Sequence, residues 1–152
     1  MRGRPIALTT HANKVPLLNK LGAADVLLKS DSFSEEVVAL TADQGAAVVI
    51  DNVGSPLWPQ TLRSLAQFGR LVSVGEVGSS PVSLRLAELI FRDAAVIGAS
   101  GAGRANVEQC AQWMVDGKLE AVIDRVLPLE QFAQGLDLVR SGSAFGRVVF
   151  KP

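Results

Sequence analysis

The chain is constrained most strongly by two short apolar runs, residues 46–54 and residues 69–75, which are separated by one predicted helix. Each run is rich in β-branched residues and ends in polar residues or glycine, which is typical of strands buried on both faces of a parallel sheet. A helix between two parallel strands makes a right-handed crossover, and ligands bind beyond the carboxyl ends of such strands. We therefore expect a ligand site at residues 51–54 and 74–78.

Strand-like runs and helical patterns alternate along the rest of the chain. One strand ends at Thr9 and a second covers residues 25–28, ahead of the central pair. The helix that connects the central pair is predicted over residues 56–67, because apolar residues recur there at helical spacing and Gly69 follows its end. Further strands are predicted at residues 94–99, 122–127 and 147–150. This alternation predicts the α/β class, with a Rossmann-like, doubly wound and mainly parallel sheet.

Composition and charge exclude several classes of function. Lys and Arg number 15 and Asp and Glu also number 15, so the 152-residue chain has no excess positive charge for nucleic acid or an anionic membrane. One cysteine, Cys110, and one histidine, His11, cannot form a zinc site of several Cys and His ligands within the chain. No apolar run reaches membrane-spanning length, and we expect a cytoplasmic protein.

Asp51 ends the first strand of the central pair and permits two interpretations. Its carboxylate could accept a hydrogen bond from a ribose hydroxyl, or it could cap the turn that follows by bonding to the backbone of that turn. Gly54 and Gly75 would let a ligand approach the backbone closely, but tight turns alone would also explain them. The residues by themselves leave both interpretations open.

A hydroxyl and a cation, Thr10 and Lys14, follow the first predicted strand, and no acidic residue occurs between Pro5 and Val15. In a nucleotide-binding fold an acidic residue here would bind the adenosine ribose diol, whereas hydroxyls and a cation suit a 2′-phosphate. A solvated helix start is the alternative interpretation. Nothing in the sequence identifies a partner that would make the neighbouring His11 a general base.

Two glycines, Gly101 and Gly103, follow the strand that ends at Ala99 and precede a helix predicted from Asn106. Together with Asp124, about 20 residues further on, they share part of the layout of a dinucleotide-binding fingerprint. Asn106 stands at the position of the third glycine, where a small residue permits close packing of the helix on the strand. The segment is therefore compatible with a nucleotide site of a complete small Rossmann-like protein or with a flexible loop.

Seven phrases of the chain carry a family resemblance: residues 6–14, 21–26, 48–54, 69–72, 116–119, 122–129 and 145–149. In this order they resemble the medium-chain dehydrogenase/reductase superfamily, in particular its quinone oxidoreductase and zinc-type alcohol dehydrogenase-like branches. No single phrase is diagnostic, but the ordered set spans nearly the whole chain. The chain therefore resembles the C-terminal portion of a member of this superfamily.

The resemblance implies NAD(P)H-dependent hydride transfer, with the nicotinamide near the loops that follow the central strands. Thr10 and Lys14 match positions that meet the adenosine 2′-phosphate, so the resemblance favours NADP, with NAD still possible. Arg147 matches a basic residue near the family's C-terminal end. The implied cofactor-binding residues are Thr10, Lys14, Asp51, Asn52, Val53, Gly54, Val74, Gly75 and Arg147. The resemblance implies no catalytic residue and no zinc ligand within this chain.

In the family, a first strand, a glycine-rich turn and a catalytic domain precede the segment that begins here at Arg4. The resemblance therefore implies a truncated protein, with a partial nucleotide-binding domain over residues 1–117. Residues 118–152 would form a tail that normally packs on the catalytic domain. The strand from Ala94 to Ala99 matches the family's dimer edge, which implies a homodimer.

Two hypotheses of function follow from these observations. The first is the nucleotide-binding portion of an NAD(P)H-dependent oxidoreductase of quinones, enones or alcohols, inactive as this chain alone. The second is a non-catalytic dimerisation or ligand-binding module with the same Rossmann-like fold.

Overall fold

The computed structural model describes residues 3–152, which divide into two compact units, one ending at Ser100 and one covering Gly101–Pro152. The strands of the first unit are β1 (Ile6–Thr9), β2 (Asp25–Leu28), β3 (Ala46–Asp51), β4 (Leu65–Ser73) and β5 (Ala95–Gly98). Its helices are α1 (Val15–Lys20), α2 (Phe33–Leu40), α3 (Gln60–Arg63) and α4 (Leu86–Ile90). The second unit contains α5 (Arg104–Val115), β6 (Ile123–Pro128), α6 (Phe132–Arg140) and β7 (Arg147–Lys151). Short 3-10 turns cover Ala12–Lys14, Ser55–Leu57 and Leu129–Gln131.

All strand pairs of the described residues are parallel. β1 pairs with β2, β4 lies between β3 and β5, and β6 pairs with β7. Parallel strands need a crossover between them, and helices supply it in both units. The α/β fold class and the mainly parallel pairing predicted from the sequence are confirmed.

The strands of the first unit form two separate sheets, β1–β2 and β3–β4–β5. Within the described residues, β1 and β3 therefore each have one edge without a strand partner. In a doubly wound sheet of order 3-2-1-4-5-6, the central strand pairs with both of these edges. The described residues contain no strand that pairs with both β1 and β3.

The three-stranded sheet is covered on one face by the helices that connect its strands. Leu71 of β4 is 2% exposed and forms a buried cluster with Leu62 of α3 and Leu65. Val49, the register partner of Leu71, packs against this cluster, and so does Leu89 of α4. Both connecting helices therefore contribute to the same face, as two successive right-handed crossovers require.

The opposite face of this sheet is open to solvent. Ile50 and Ile97, the register partners of Val72 on its two sides, are 67% and 41% exposed. Val48 lies on the same face as Ile50 and is 55% exposed. The expectation that the central strands are buried on both faces is therefore wrong for β3, because the packed helices of this sheet lie on one side only.

The long crossover helix predicted over residues 56–67 is also wrong. A 3-10 turn at Ser55–Leu57 is followed by extended Trp58, by Pro59 and by the single turn of α3. Pro59 lacks an N–H and disfavours a helical conformation in the residue before it, so a helix starting near Pro56 cannot continue through this point. Leu65 already pairs with Ala46 as the first residue of β4.

A substitution at Leu62 tests this core, because Leu62 is 1% exposed and belongs to the buried cluster. We expect Leu62→Ala to lower the free energy of unfolding by about 2–5 kcal/mol, since it removes buried methyl groups and leaves a cavity. Urea unfolding followed by Trp58 fluorescence in a Trp113→Phe background measures the loss. Leu86→Ala is the control, because Leu86 is 67% exposed. An equal loss in both variants would contradict the assignment of the core.

Candidate functional site

The carboxyl ends of β3 and β4 lie side by side and carry most of the predicted site residues. Asp51 pairs with Ser73, so the loops that follow the two strands begin at the same level of the sheet. The Val74 amide donates a hydrogen bond to the Asp51 carbonyl (2.7 Å), and the Val77 amide donates one to the Val53 carbonyl (2.9 Å). The structure thus brings residues 51–54 together with Val74 and Gly75.

Asp51 caps its own turn. Asp51 is 5% exposed, and its Oδ1 accepts hydrogen bonds from the amides of Val53 (2.8 Å) and Gly54 (2.9 Å). Of the two interpretations that the sequence left open, the structure shows the turn cap, in which an aspartate accepts hydrogen bonds from backbone amides two and three residues ahead. The buried carboxylate therefore holds the loop after β3 in one conformation.

Gly54 and Gly75 leave bare backbone where the two loops meet. A Cβ on Gly75 would collide with the backbone of Asn52, so only glycine fits at this position. Gly54 has a φ of +81°, and a Cβ there would lie 2.5 Å from Oε2 of Glu76. Because no side chain can separate them, the loops form a rim of closely packed backbone.

Glu76 joins the two loops; it lies within the predicted range of residues 74–78 but was not singled out there as a site residue. Its carboxylate accepts hydrogen bonds from the Ser55 amide (2.9 Å), the Ser55 hydroxyl (2.7 Å) and the amides of Gly78 and Ser79 (both 2.8 Å). Donation by the Ser55 hydroxyl and then by the backbone amides lowers the pKa of Glu76 from 4.5 to about 2. The sequence feature that could have singled it out is that no other acidic residue occurs between Asp51 and Glu88.

Thr10 and Lys14 lie after β1, in the other sheet of the first unit. Oγ1 of the exposed Thr10 is 2.7 Å from Nδ1 of His11, and the Thr9 hydroxyl accepts a hydrogen bond from the His11 amide (3.3 Å). Lys14 ends the 3-10 turn that follows. The hydroxyl and the cation predicted to meet a 2′-phosphate are therefore four residues apart, directly after β1 and at the end of this turn.

Arg147 lies in the second unit, where it is the first residue of β7. It is exposed, pairs with Ile123 of β6, and its amide donates a hydrogen bond to the Val122 carbonyl (2.8 Å). Its role toward a cofactor stays a prediction.

The two-glycine segment precedes α5, which begins at Arg104 rather than at the predicted Asn106. A Cβ on Gly101 or Gly103 would meet no atom within 4 Å, in contrast to Gly54 and Gly75. Backbone packing therefore does not require glycine at either position, although Gly101 has a φ of +65°. A nucleotide site at this segment gains no support from its packing.

No helix of the described residues combines the length and the apolar character needed to cross a membrane.

A family model described as zinc-binding dehydrogenase matches residues 21–150 of this chain. The acryloyl-coenzyme A reductase of Sulfurisphaera tokodaii is 30% identical over 148 residues, covering 97% of this chain and 43% of the relative. The NAD-dependent alcohol dehydrogenase of Sulfolobus acidocaldarius is 32% identical over 150 residues, covering 96% of this chain and 42% of the relative. The chain thus spans less than half the length of these curated relatives.

Solved structures of alcohol dehydrogenases share the fold. That of Aeropyrum pernix matches with a TM-score of 0.91 at 24% identity, covering 99% of this chain and 43% of that structure. This match confirms the Rossmann-like fold, and the family model and the curated relatives confirm the family resemblance stated from the sequence. Since the family model covers most of its length, the chain belongs to the zinc-binding dehydrogenase family of the medium-chain dehydrogenase/reductase superfamily, whose members are oxidoreductases.

Proposed function

We propose that this chain is the C-terminal, nucleotide-binding portion of an NADP-preferring reductase that transfers hydride to a quinone, an enone or a similar carbonyl compound. By itself the chain is inactive, because the glycine-rich pyrophosphate turn and the catalytic domain lie outside it. The observation that supports this proposal is that β1 and β3, the two strands that would flank the first strand in the order 3-2-1-4-5-6, do not pair with each other within the described residues.

The loops after β3 and β4 support a nicotinamide site. The glycines at positions 54 and 75 let the two loops pack closely against each other, which gives the end of the sheet a fixed rim of backbone. Asp51 fixes the loop after β3 through its capping hydrogen bonds. In the proposed site, Asn52, Val53 and Val74 line the nicotinamide half of the cofactor, and the cofactor supplies the hydride.

The turn after β1 supports an adenosine site with a 2′-phosphate. Thr10 provides a hydroxyl donor and Lys14 a cation, and phosphate oxygens accept hydrogen bonds from both kinds of group. The Sulfolobus acidocaldarius relative is by name NAD-dependent, so NADH is the competing cofactor. Arg147 is proposed as a further cofactor contact on the basis of its family position alone. The enone class of substrate agrees with the name of the acryloyl-coenzyme A reductase relative.

Zinc, which the family description implies, has no ligand set in this part of the protein. Among residues 3–152 no group of three or more His, Cys, Asp or Glu side chains is placed to hold a metal ion. The described residues therefore do not fit a zinc site, and no step is assigned to zinc in this chain.

Calorimetric titration with NADPH and NADH tests the proposed function. We expect NADPH to bind more tightly than NADH but no more tightly than about 0.1 mM, because the backbone donors of a pyrophosphate turn contribute nothing here. We expect Lys14→Ala to remove the preference for NADPH, while Lys20→Ala, which deletes the basic residue of the last turn of α1, leaves it unchanged. Micromolar binding by the wild-type chain would contradict the claim that the pyrophosphate turn is needed.

The second candidate function is a dimerisation or ligand-binding module, and the edge of β5 favours it. Among the described residues, β5 has β4 as its single strand partner, and Val96 and Ile97 are 42% and 41% exposed. An unpaired apolar strand edge is a template for a second copy, and pairing within residues 94–99 would satisfy its backbone groups. The free Cys110 fits a reducing compartment, and we propose a cytoplasmic location for either function.

Light scattering at high protein concentration tests the proposed homodimer. We expect a particle of twice the 16.0 kDa chain mass, and we expect Val96→Lys to convert it to the monomer, since lysines on paired edges repel. Val77→Lys is the matched control, because Val77 is 70% exposed outside any strand. A wild-type monomer at all concentrations would contradict the dimer.

A further inference from the structure

Glu76 is held by four hydrogen bonds from backbone and hydroxyl donors. Its hydrogen bonds come from Ser55, Gly78 and Ser79, and no ion pair involves it within the described residues. Both carboxylate oxygens are used, and hydrogen bonds to an ionised acceptor are stronger than neutral ones. An exposed side chain is thus held in one position.

The partners of Glu76 belong to two different loops. Gly78 and Ser79 follow β4 in the same loop as Glu76, whereas Ser55 is 21 residues earlier and follows β3. A cap of a single turn would bond only to its own neighbours, as Asp51 does. The carboxylate of Glu76 therefore connects the loop of residues 51–55 with the loop of residues 74–79.

The connection reaches the residues of the proposed cofactor site directly. Oε2 of Glu76 occupies the space beside Gly54 that a Cβ would fill, and it accepts the hydrogen bond of the next amide, that of Ser55. On the other side, Gly78 packs its backbone against the Ser55 hydroxyl so closely that a Cβ there would lie 2.5 Å from Oγ. Removal of the carboxylate leaves the Ser55 amide without this acceptor, while the backbone hydrogen bond from Val77 to Val53 remains.

We propose that Glu76 is a positioning residue that clamps these two loops together and thereby shapes the proposed site for the nicotinamide half of the cofactor. The proposal rests on the proposed nicotinamide site. It assigns no contact between Glu76 and the reacting atoms. Thr10 and Lys14, proposed for the adenosine half, follow β1 of the other sheet and take no part in the hydrogen bonds of Glu76.

The pH dependence of the clamp follows from the lowered pKa of Glu76. Its hydrogen bonds are fully present above the ordinary value of 4.5 and are lost as the pH falls through about 2. In an NMR titration we expect the amide shifts of Ser55, Gly78 and Ser79 to stay constant down to the ordinary value and to change only below it. The Glu76→Gln variant separates this titration from general acid unfolding, and a midpoint at 4.5 would contradict the clamp.

Binding of the two cofactor halves tests the role of Glu76 in the site. The probes are reduced nicotinamide mononucleotide and adenosine 2′,5′-bisphosphate, each titrated by NMR into wild type and Glu76→Gln. The glutamine keeps one acceptor oxygen but turns an N–H donor toward the Ser55 amide or loses that contact. We expect about a fivefold weaker affinity for the nicotinamide half, with the adenosine half unchanged within about twofold.

Amide hydrogen exchange on the same samples measures the clamp itself, and we expect Ser55 to lose protection in Glu76→Gln. Glu108→Gln is the control, because it removes an exposed carboxylate whose partner is the guanidinium of Arg104. An equal loss of affinity for both cofactor halves, or an unchanged affinity for the nicotinamide half, would overturn the positioning role. If wild type binds no nicotinamide mononucleotide, the proposed nicotinamide site fails with that role, whereas exchange at Ser55 independently supports or overturns the clamp.

Discussion

The register between β3 and β4 is the constraint on which the candidate site depends. Pairing of Asp51 with Ser73 ends both strands at one level, so the two loops begin side by side and their backbones touch. A shift of one residue would also turn Leu71 out of the buried cluster and replace it by a residue of the open face. The core on one face therefore maintains the alignment of the loops at the end of the sheet.

The open face of β3–β4–β5 and the unpaired edges of β1 and β3 share one physical origin. A doubly wound sheet buries its strands under two layers of helices, because each half of the sheet contributes crossovers to one side. In this chain the two halves are separate sheets, and the face that carries Ile50 keeps its apolar side chains exposed. Membership of a family whose curated relatives are more than twice as long agrees with this arrangement.

Local patterns predicted the strands better than the connections between them. The strand from Asp25 to Leu28 has the predicted bounds, since a short apolar run between turn residues has few other conformations available. The crossover helix failed because Pro59 interrupts it and because Leu65 is drawn into β4 by pairing with Ala46. Periodicity reports which side chains face the core, and Leu62 and Leu65 do, but it does not distinguish a helix from a strand over so few residues.

The sequence by itself determined the parallel α/β class, the family resemblance, and the position of the loops around Asp51 and Gly75, because apolar runs and glycines are local signals. Only the tertiary structure decided that Asp51 caps its own turn and that Glu76 joins two loops. The partners of Glu76 include Ser55, which is 21 residues away in the chain, and no local pattern encodes such a hydrogen bond. The exposure of β3 was equally beyond the sequence, because burial of a strand depends on which elements pack against it and not on its own composition.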